Sequence, residues 1–238
     1  MTGKKLDLEE LVIQKKDLEE AISTLSHEIR NSLAVIMGRI GIILDNYQLK
    51  GQVKKELEKV LAQARHSNQL ITNVHYFNTL NLNNLKYERF NLSDIVSGIA
   101  TLLETSDSQR HVDFRIAPNV FVYADRTAFE IMMQNFLGNA YKFTGKQQHA
   151  VIEFGVIQKE DGTIYYVRDN GAGFDQAGVD KLFKPRQRLH SRQDFNGTGY
   201  GLSTTKKVID LHNGTVWAEG EVGKGATFYF TLPSKPQS

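Results

Sequence analysis

The chain has 238 residues, with 29 Lys+Arg against 27 Asp+Glu for a formal net charge of +2, and it contains no cysteine. That length suits one large domain or two small ones with real cores. The missing cysteines exclude a disulfide framework or a cysteine-ligated metal and fit a reducing compartment, and the near-neutral balance argues against a dedicated nucleic-acid binder. The longest apolar stretch, Leu33 to Leu44, is 12 residues and contains Arg39, too short to span a bilayer. Met-Thr-Gly-Lys-Lys leads into a charged helical pattern and not into a signal-peptide core. No proline precedes Pro118, and 10 of the 19 glycines lie between Gly171 and Gly225. The front is therefore predicted as long helices and the back as a fold with glycine-dependent loops.

From Leu6 to about Leu44 the apolar residues keep a heptad. Ile22, Ile29, Ile36 and Ile43 fall at a, and Leu11, Leu18 and Leu25 at d, which is a coiled-coil seam. After Leu25 the d sites become Ser32 and Arg39, and Leu33 and Ile40 at e take over, widening the stripe to the face of a bundle helix. Asp45 to Gly51 reads as a turn. A second helix follows, with Val53, Leu57, Val60, Leu61, Ala64, Ile71, Val74 and Phe77 on one face. One hairpin cannot enclose a core, so two chains are expected to pair as a homodimer. His27 sits at f, with Glu28 beside it at g and Asn31 on its own face. This is either a solvated polar stripe or an exposed imidazole nucleophile with a carboxylate to orient it.

In the back half, Tyr87 to Asn91 is predicted as a strand, and Ser93 or Asp94 as the cap of a helix through Leu103. Val112 to Ile116 and Val120 to Tyr123 alternate as strands around Pro118. Asp125 caps a helix with Asn135, Asn139 and Lys142 on one face. Strands at Val151 to Lys159 and Thr163 to Arg168, a helix from Leu202 to about Leu211, and strands at Thr215 to Glu219 and Thr227 to Leu232 complete an α+β sandwich.

Three features could carry chemistry. Asn135, Asn139 and Lys142 combine hard amide ligands suited to Mg²⁺ with a phosphate-binding ammonium, or they are an ordinary polar helix face. Asp169-Asn170-Gly171-Ala172-Gly173 offers a carboxylate for an exocyclic amine such as adenine's, with Gly171 and Gly173 allowing close backbone approach to a ligand; it is otherwise a simple Asn-Gly turn. Gly197-Thr198-Gly199-Tyr200-Gly201-Leu202 precedes a helix and can present backbone N–H groups to an anion, although it is neither a Walker loop nor a dinucleotide fingerprint. Between the last two, the basic run with Lys184, Arg186, Arg188, His190 and Arg192 reads as a lid over a triphosphate or as a solvated loop.

Together these pieces resemble the transmitter core of two-component sensor histidine kinases, over nearly the whole chain. Ser26 to Asn31 matches the family's histidine box and Asn135 to Lys142 its asparagine box. Asp169 to Gly173 and Gly197 to Gly201 match its two glycine boxes, and Leu182 to Pro185 its phenylalanine box. Arg188 to Ser191 and Gly223 to Phe228 look most like the phytochrome-type branch. The resemblance implies a helical hairpin forming a dimeric four-helix bundle, followed by an α+β two-layer sandwich of the Bergerat or GHKL type. It divides the chain into a coiled-coil signalling helix (1–20), a dimerisation and histidine phosphotransfer domain (21–82) and a catalytic ATP-binding domain (83–238).

The same resemblance implies an ATP-dependent, autophosphorylating protein-histidine kinase that passes its phosphoryl group to an aspartate of a response regulator receiver domain. His27 would be the phosphoacceptor, Glu28 the general base, and Asn31 the group that orients water or phosphoryl in transfer or phosphatase steps. Asn139 would ligate Mg²⁺, with Asn135 and Lys142 at the phosphates. Asp169 would read the adenine amine, and Gly171, Gly173, Arg188, Gly197, Thr198, Gly199, Gly201 and Leu202 would line the ATP site. A cytoplasmic location is implied, as is an upstream sensor domain or a separate input protein acting through the helix from Leu6 to Leu25. Ser32 stands where the family usually has proline, which removes an expected kink, and Arg186 stands where it usually has a second phenylalanine. Two other readings are a non-catalytic docking adaptor and an ATPase of the gyrase or chaperone kind. The ATP ligands argue against the first and the His27 helix against the second.

Overall fold

With no proline to interrupt it, helix α1 runs from Thr2 to Asn46, and after a short turn α2 runs from Gly51 to Thr79. Gly51, at φ +65°, takes the left-handed conformation that the turn requires. The computed structural model describes residues 2–47, 49–107, 110–160, 162–185 and 200–233. The two helices form one unit, Met1–Thr79, and the rest of the chain a second, Leu80–Ser238. Among the described residues, no helix is long and apolar enough to cross a membrane.

The hairpin uses only part of its apolar surface. On α1 the e positions Ser26 and Ile40 are buried and Leu33 half-buried, so the face that widens the heptad stripe is the one covered within the chain. The a and d seam stays open, with Leu25 57% exposed and Ile36 46% exposed. Ser32 gives the local reason why α1 continues through the histidine box. Its hydroxyl donates to the Glu28 carbonyl at 3.0 Å, and proline there would lack the N–H that the helix uses.

In the second unit, β1 (Tyr87–Asn91) pairs with β3 (Phe121–Asp125) as an antiparallel ribbon. A five-stranded sheet is built in the order β2 (Val112–Ile116), β4 (Ala150–Lys159), β5 (Gly162–Asp169), β7 (Gly225–Thr231), β6 (Thr215–Glu221). Only β2 and β4 run parallel. The helices α3 (Leu92–Ser106), α4 (Arg126–Phe143) and α6 (Gly201–Leu211) pack against this sheet as a second layer, and a short α5 (Val179–Leu182) follows the first glycine box. Phe129 and Phe136 of α4 meet Phe230 of the sheet, with ring centres 6.1 and 6.2 Å apart, and Met132, Met133, Leu137 and Phe154 are fully buried in the same unit. The opposite sheet face is partly solvated and keeps cross-strand pairs, with Trp217 stacked on Tyr229 at 5.2 Å and Tyr166 lying over Gly155.

The cap of α3 differs from the expected one. Asn91, not Ser93 or Asp94, caps the helix by accepting from the Ser93 N–H at 3.2 Å. The Ser93 hydroxyl is committed elsewhere: it donates to the Ala117 carbonyl at 2.7 Å and accepts from the Val120 N–H at 3.0 Å. Asp94 accepts from the Asn91 amide at 2.9 Å, so the three polar side chains share one interlocked start. Asp125 caps α4 as expected, accepting from Ala128 N–H at 2.9 Å.

Candidate functional site

The second unit brings the asparagine box, the first glycine box and the start of α6 at Gly201 together around α4. Asp169 ends β5 and is only 5% exposed, and its carboxylate accepts from Gly171 N–H at 2.8 Å. Burial pushes its pKa from 3.8 up to about 6, against the opposing pull of hydrogen bonds from the Gly171 and Ala226 backbone. Three glycines make this position possible. A Cβ on Gly225, at φ +108°, would lie 2.0 Å from the Asp169 carbonyl. One on Gly171 would lie 2.6 Å from the Phe143 carbonyl, and one on Gly173, at φ +61°, would lie 1.9 Å from the Glu221 carbonyl. Among the described residues these glycines permit close approach to the protein's own backbone, which holds the carboxylate in place.

Phe143, the last residue of α4, accepts from the Ala172 N–H at 3.1 Å and so ties the helix end to the first glycine box. At the other side of α4, buried Asn135 meets the start of α6, its Oδ1 only 3.0 Å from where a Cβ of Gly201 would stand. Gly201 and Leu202 open α6, whose N-cap residue Tyr200 gives it no side-chain capping bond. Asn139 is half-buried on the same helix face as Asn135, and the Lys142 ammonium lies 4.0 Å from the Phe143 ring centre. The expected ligands Arg188, Gly197, Thr198 and Gly199 lie outside the described residues, as does Arg186.

In the first unit His27, Glu28 and Asn31 are all exposed on α1. His27 Nδ1 and Asn31 Nδ2 are 3.1 Å apart, and the partner roles depend on the ring tautomer and on which way the amide is turned. On α2, the half-buried His75 has its Nδ1 buried with no hydrogen-bond partner. Burial, then the charges of Arg30 and His27, hold its pKa below the usual histidine value.

Sequence reasoning missed His75, because a lone histidine inside an apolar helix face gives no signal. It also missed His212. This ring is 2% exposed, accepts from the Asp125 N–H through Nε2 at 3.0 Å, and lies 2.7 Å from the Val208 carbonyl through Nδ1. Those two contacts define a neutral Nδ1–H tautomer, and burial holds its pKa low. Gly225, the first residue of β7, meets Asp169 through β5–β7 pairing, a contact that could not be seen in the sequence.

Comparison with known proteins agrees with this architecture. A family model for the His Kinase A (phospho-acceptor) domain matches residues 17–82, and one for histidine kinase-, DNA gyrase B-, and HSP90-like ATPases matches residues 124–236. Cyanobacterial phytochrome A of Nostoc is 43% identical over 112 residues, covering 47% of this chain and 14% of that protein. Cyanobacterial phytochrome B of Nostoc is 29% identical over 228 residues, covering 94% of this chain and 30% of that protein. The chain thus spans less than a third of the length of these relatives. Among solved structures, full-length ShkA in complex with AMPPNP superposes with a TM-score of 0.63 at 22% identity, covering 92% of this chain and 47% of that one. The catalytic domain of histidine kinase ThkA gives 0.53 at 26% identity, covering 63% of this chain and 97% of that one. A phospho-acceptor hairpin followed by a GHKL-type ATPase fold, with phytochromes and named histidine kinases as relatives along nearly its full length, makes the chain a member of the sensor histidine kinase transmitter family, related to its phytochrome-type branch.

Proposed function

We propose that this chain binds ATP in its second unit, phosphorylates itself on His27, and passes the phosphoryl group to an aspartate of a response regulator. The observation that carries the reading is the convergence on α4. A buried carboxylate, an amide- and ammonium-bearing helix end and a helix N-terminus without a side-chain cap are joined through Phe143 and Asn135. Each suits one part of a nucleotide. Asp169 accepts from the exocyclic amine of adenine, Lys142 and Asn135 meet phosphate oxygens, and the first turn of α6 offers N–H groups to the same anion. The Gly197 to Gly201 segment and Arg188 would complete the phosphate side.

The residues fit Mg²⁺ in a specific way. Among the described residues, no group of three His, Cys, Asp or Glu could hold a metal. Asn139 supplies a hard amide oxygen, which suits an ion that completes its shell with phosphate oxygens and water. When bound, the ion neutralises charge on the transferring phosphoryl group.

In the proposed transfer, the bond from Pγ to the β–γ bridging oxygen breaks, a P–N bond forms at a His27 ring nitrogen, and ADP leaves. With the Asn31 amide turned to accept from Nδ1–H, the Nε2 lone pair is free for in-line attack. Glu28, the next residue, would receive the Nδ1 proton as the P–N bond forms, once that N–H turns from Asn31 to the carboxylate. The same Asn31 would orient water when the regulator is dephosphorylated. The open seam of Leu25, Ile29, Ile36 and Ile43 supports a homodimer in which two hairpins form a four-helix bundle. A receiver domain as partner is supported by the shared fold with ThkA solved in complex with the response regulator protein TrrA, at TM-score 0.60. Incubation with radiolabelled ATP and Mg²⁺ tests the reading. It is expected to give acid-labile phosphoprotein that His27→Gln abolishes, and label surviving that substitution would sink it.

A further inference from the structure

The last turns of α4 carry Asn139 and Lys142, and they are gripped by a residue that none of the boxes contains. Arg110, just before β2, lays its guanidinium 3.9 Å from the centre of the Tyr141 ring. The same group donates through Nη1 to the Tyr141 carbonyl at 2.5 Å and through Nη2 to the Thr144 hydroxyl at 2.7 Å. That hydroxyl donates in turn to the Ala140 carbonyl at 2.7 Å.

Helix C-termini leave carbonyls without partners and carry a partial negative charge. Here Arg110 takes the Tyr141 carbonyl, and the first glycine box takes the next but one, Phe143, through the Ala172 N–H at 3.1 Å. One fixed cation and one backbone bond therefore set the helix end against the loop that carries Asp169. A planar, forked guanidinium can stack and make two directed bonds at once, which an ammonium cannot.

We propose that Arg110 is a positioning residue for the nucleotide site. It touches neither base nor phosphate, and it holds the end of α4 so that Asn139 and Lys142 face the metal-bound phosphates from a fixed place beside the Asp169 loop. This rests on the nucleotide reading above, and the two can fail separately. Calorimetric titration of the full chain with ADP, once with Mg²⁺ and once with EDTA, is the test. Arg110→Ala is expected to weaken Mg²⁺–ADP binding about tenfold, the effect of one charge-assisted hydrogen bond. Binding in EDTA keeps the Asp169 and Lys142 contacts but not the metal at Asn139, so the loss there should be clearly smaller.

Arg110→Lys should recover only part of the loss, because it keeps the charge without the fork or the stack. An equal loss in both media would mark Arg110 as merely stabilising and overturn the inference, as would no loss in either. If Arg110→Ala does not fold by circular dichroism, Arg110→Lys carries the same comparison, with a smaller loss that is again greater in the Mg²⁺ titration. A parent protein that binds ADP in neither medium refutes the nucleotide reading, and this inference with it, before any variant is made.

Discussion

Replacing Asp169 with asparagine keeps the shape of a buried side chain and removes its charge, so it separates what the carboxylate costs the fold from what it gives a ligand. Its pKa is 3.8 in an unfolded chain and about 6 in the folded one. A raised folded pKa means that the group's contribution is fully present below pH 3.8 and is lost as pH rises through about 6. Above pH 7 the ionised, buried carboxylate therefore costs the fold about 3 kcal/mol, an upper bound because asparagine also accepts less strongly from the Gly171 and Ala226 N–H groups. For a unit of this size each kcal/mol moves Tm by about 2–4 °C. Asp169→Asn should raise the Tm of the second unit by several degrees at pH 7.5, and by clearly less at pH 5, where much of the parent's carboxyl is already protonated.

Nucleotide binding should move the other way. The asparagine NH₂ would face the exocyclic amine donor to donor, and a mismatch of that kind in a buried site costs on the order of 100-fold or more in affinity. Differential scanning calorimetry at the two pH values and titration with an ATP analogue read the two effects independently. A variant that is less stable at pH 7.5 with the parent's pH dependence, or one that binds the analogue as tightly as the parent, would refute the reasoning.

His212 has a lowered folded pKa, so its stabilisation is present above pH 6.5 and is lost as pH falls through the folded value. His212→Phe should cost about 1–3 kcal/mol at pH 7.5 by leaving the Asp125 N–H unpaired, and denaturant melts should show a shallower decline between pH 7.5 and pH 5. Gly173→Ala places a Cβ 1.9 Å from the Glu221 carbonyl at φ +61° and should unfold or cripple the second unit. Gly223→Ala, at φ +80° with nothing within 4 Å, should cost only about 1 kcal/mol; similar melting of the two variants would contradict the packing described here. Ile36→Glu places a charge in the open seam. It should convert a homodimer to monomers in sedimentation equilibrium at micromolar concentration, and an unchanged mass would place the dimer contact elsewhere.

Much of this protein is written in local patterns. The heptad from Leu11 to Ile43, the proline-free front and the turn ahead of Gly51 determine a helical hairpin, because helix formation and a seven-residue repeat depend on neighbours in sequence. Strands β1 and β2 have the predicted bounds, and the other predicted elements differ only at their ends, because alternation and glycine turns are equally local signals; the four-residue α5 is too short to leave such a pattern. The motifs at His27, Asn135 to Lys142 and Asp169 to Gly173 were legible for the same reason: each is a short run with its own chemistry.

What only the tertiary structure decided are the relations between distant runs. Nothing in the sequence says that the e face of α1 is covered in the hairpin while the a and d seam stays open. Nor does it say that Asn91 caps α3 because Ser93 is engaged by Ala117 and Val120. Asp169 is a buried carboxylate with a raised pKa because β7 brings Gly225 and Ala226 against it from more than fifty residues away. Arg110 reaches the end of α4 across 34 residues and His212 its start across 87. Burial and hydrogen-bond partnership belong to pairs of groups, and the pairs that matter at this site are made by chain topology, which no local pattern encodes.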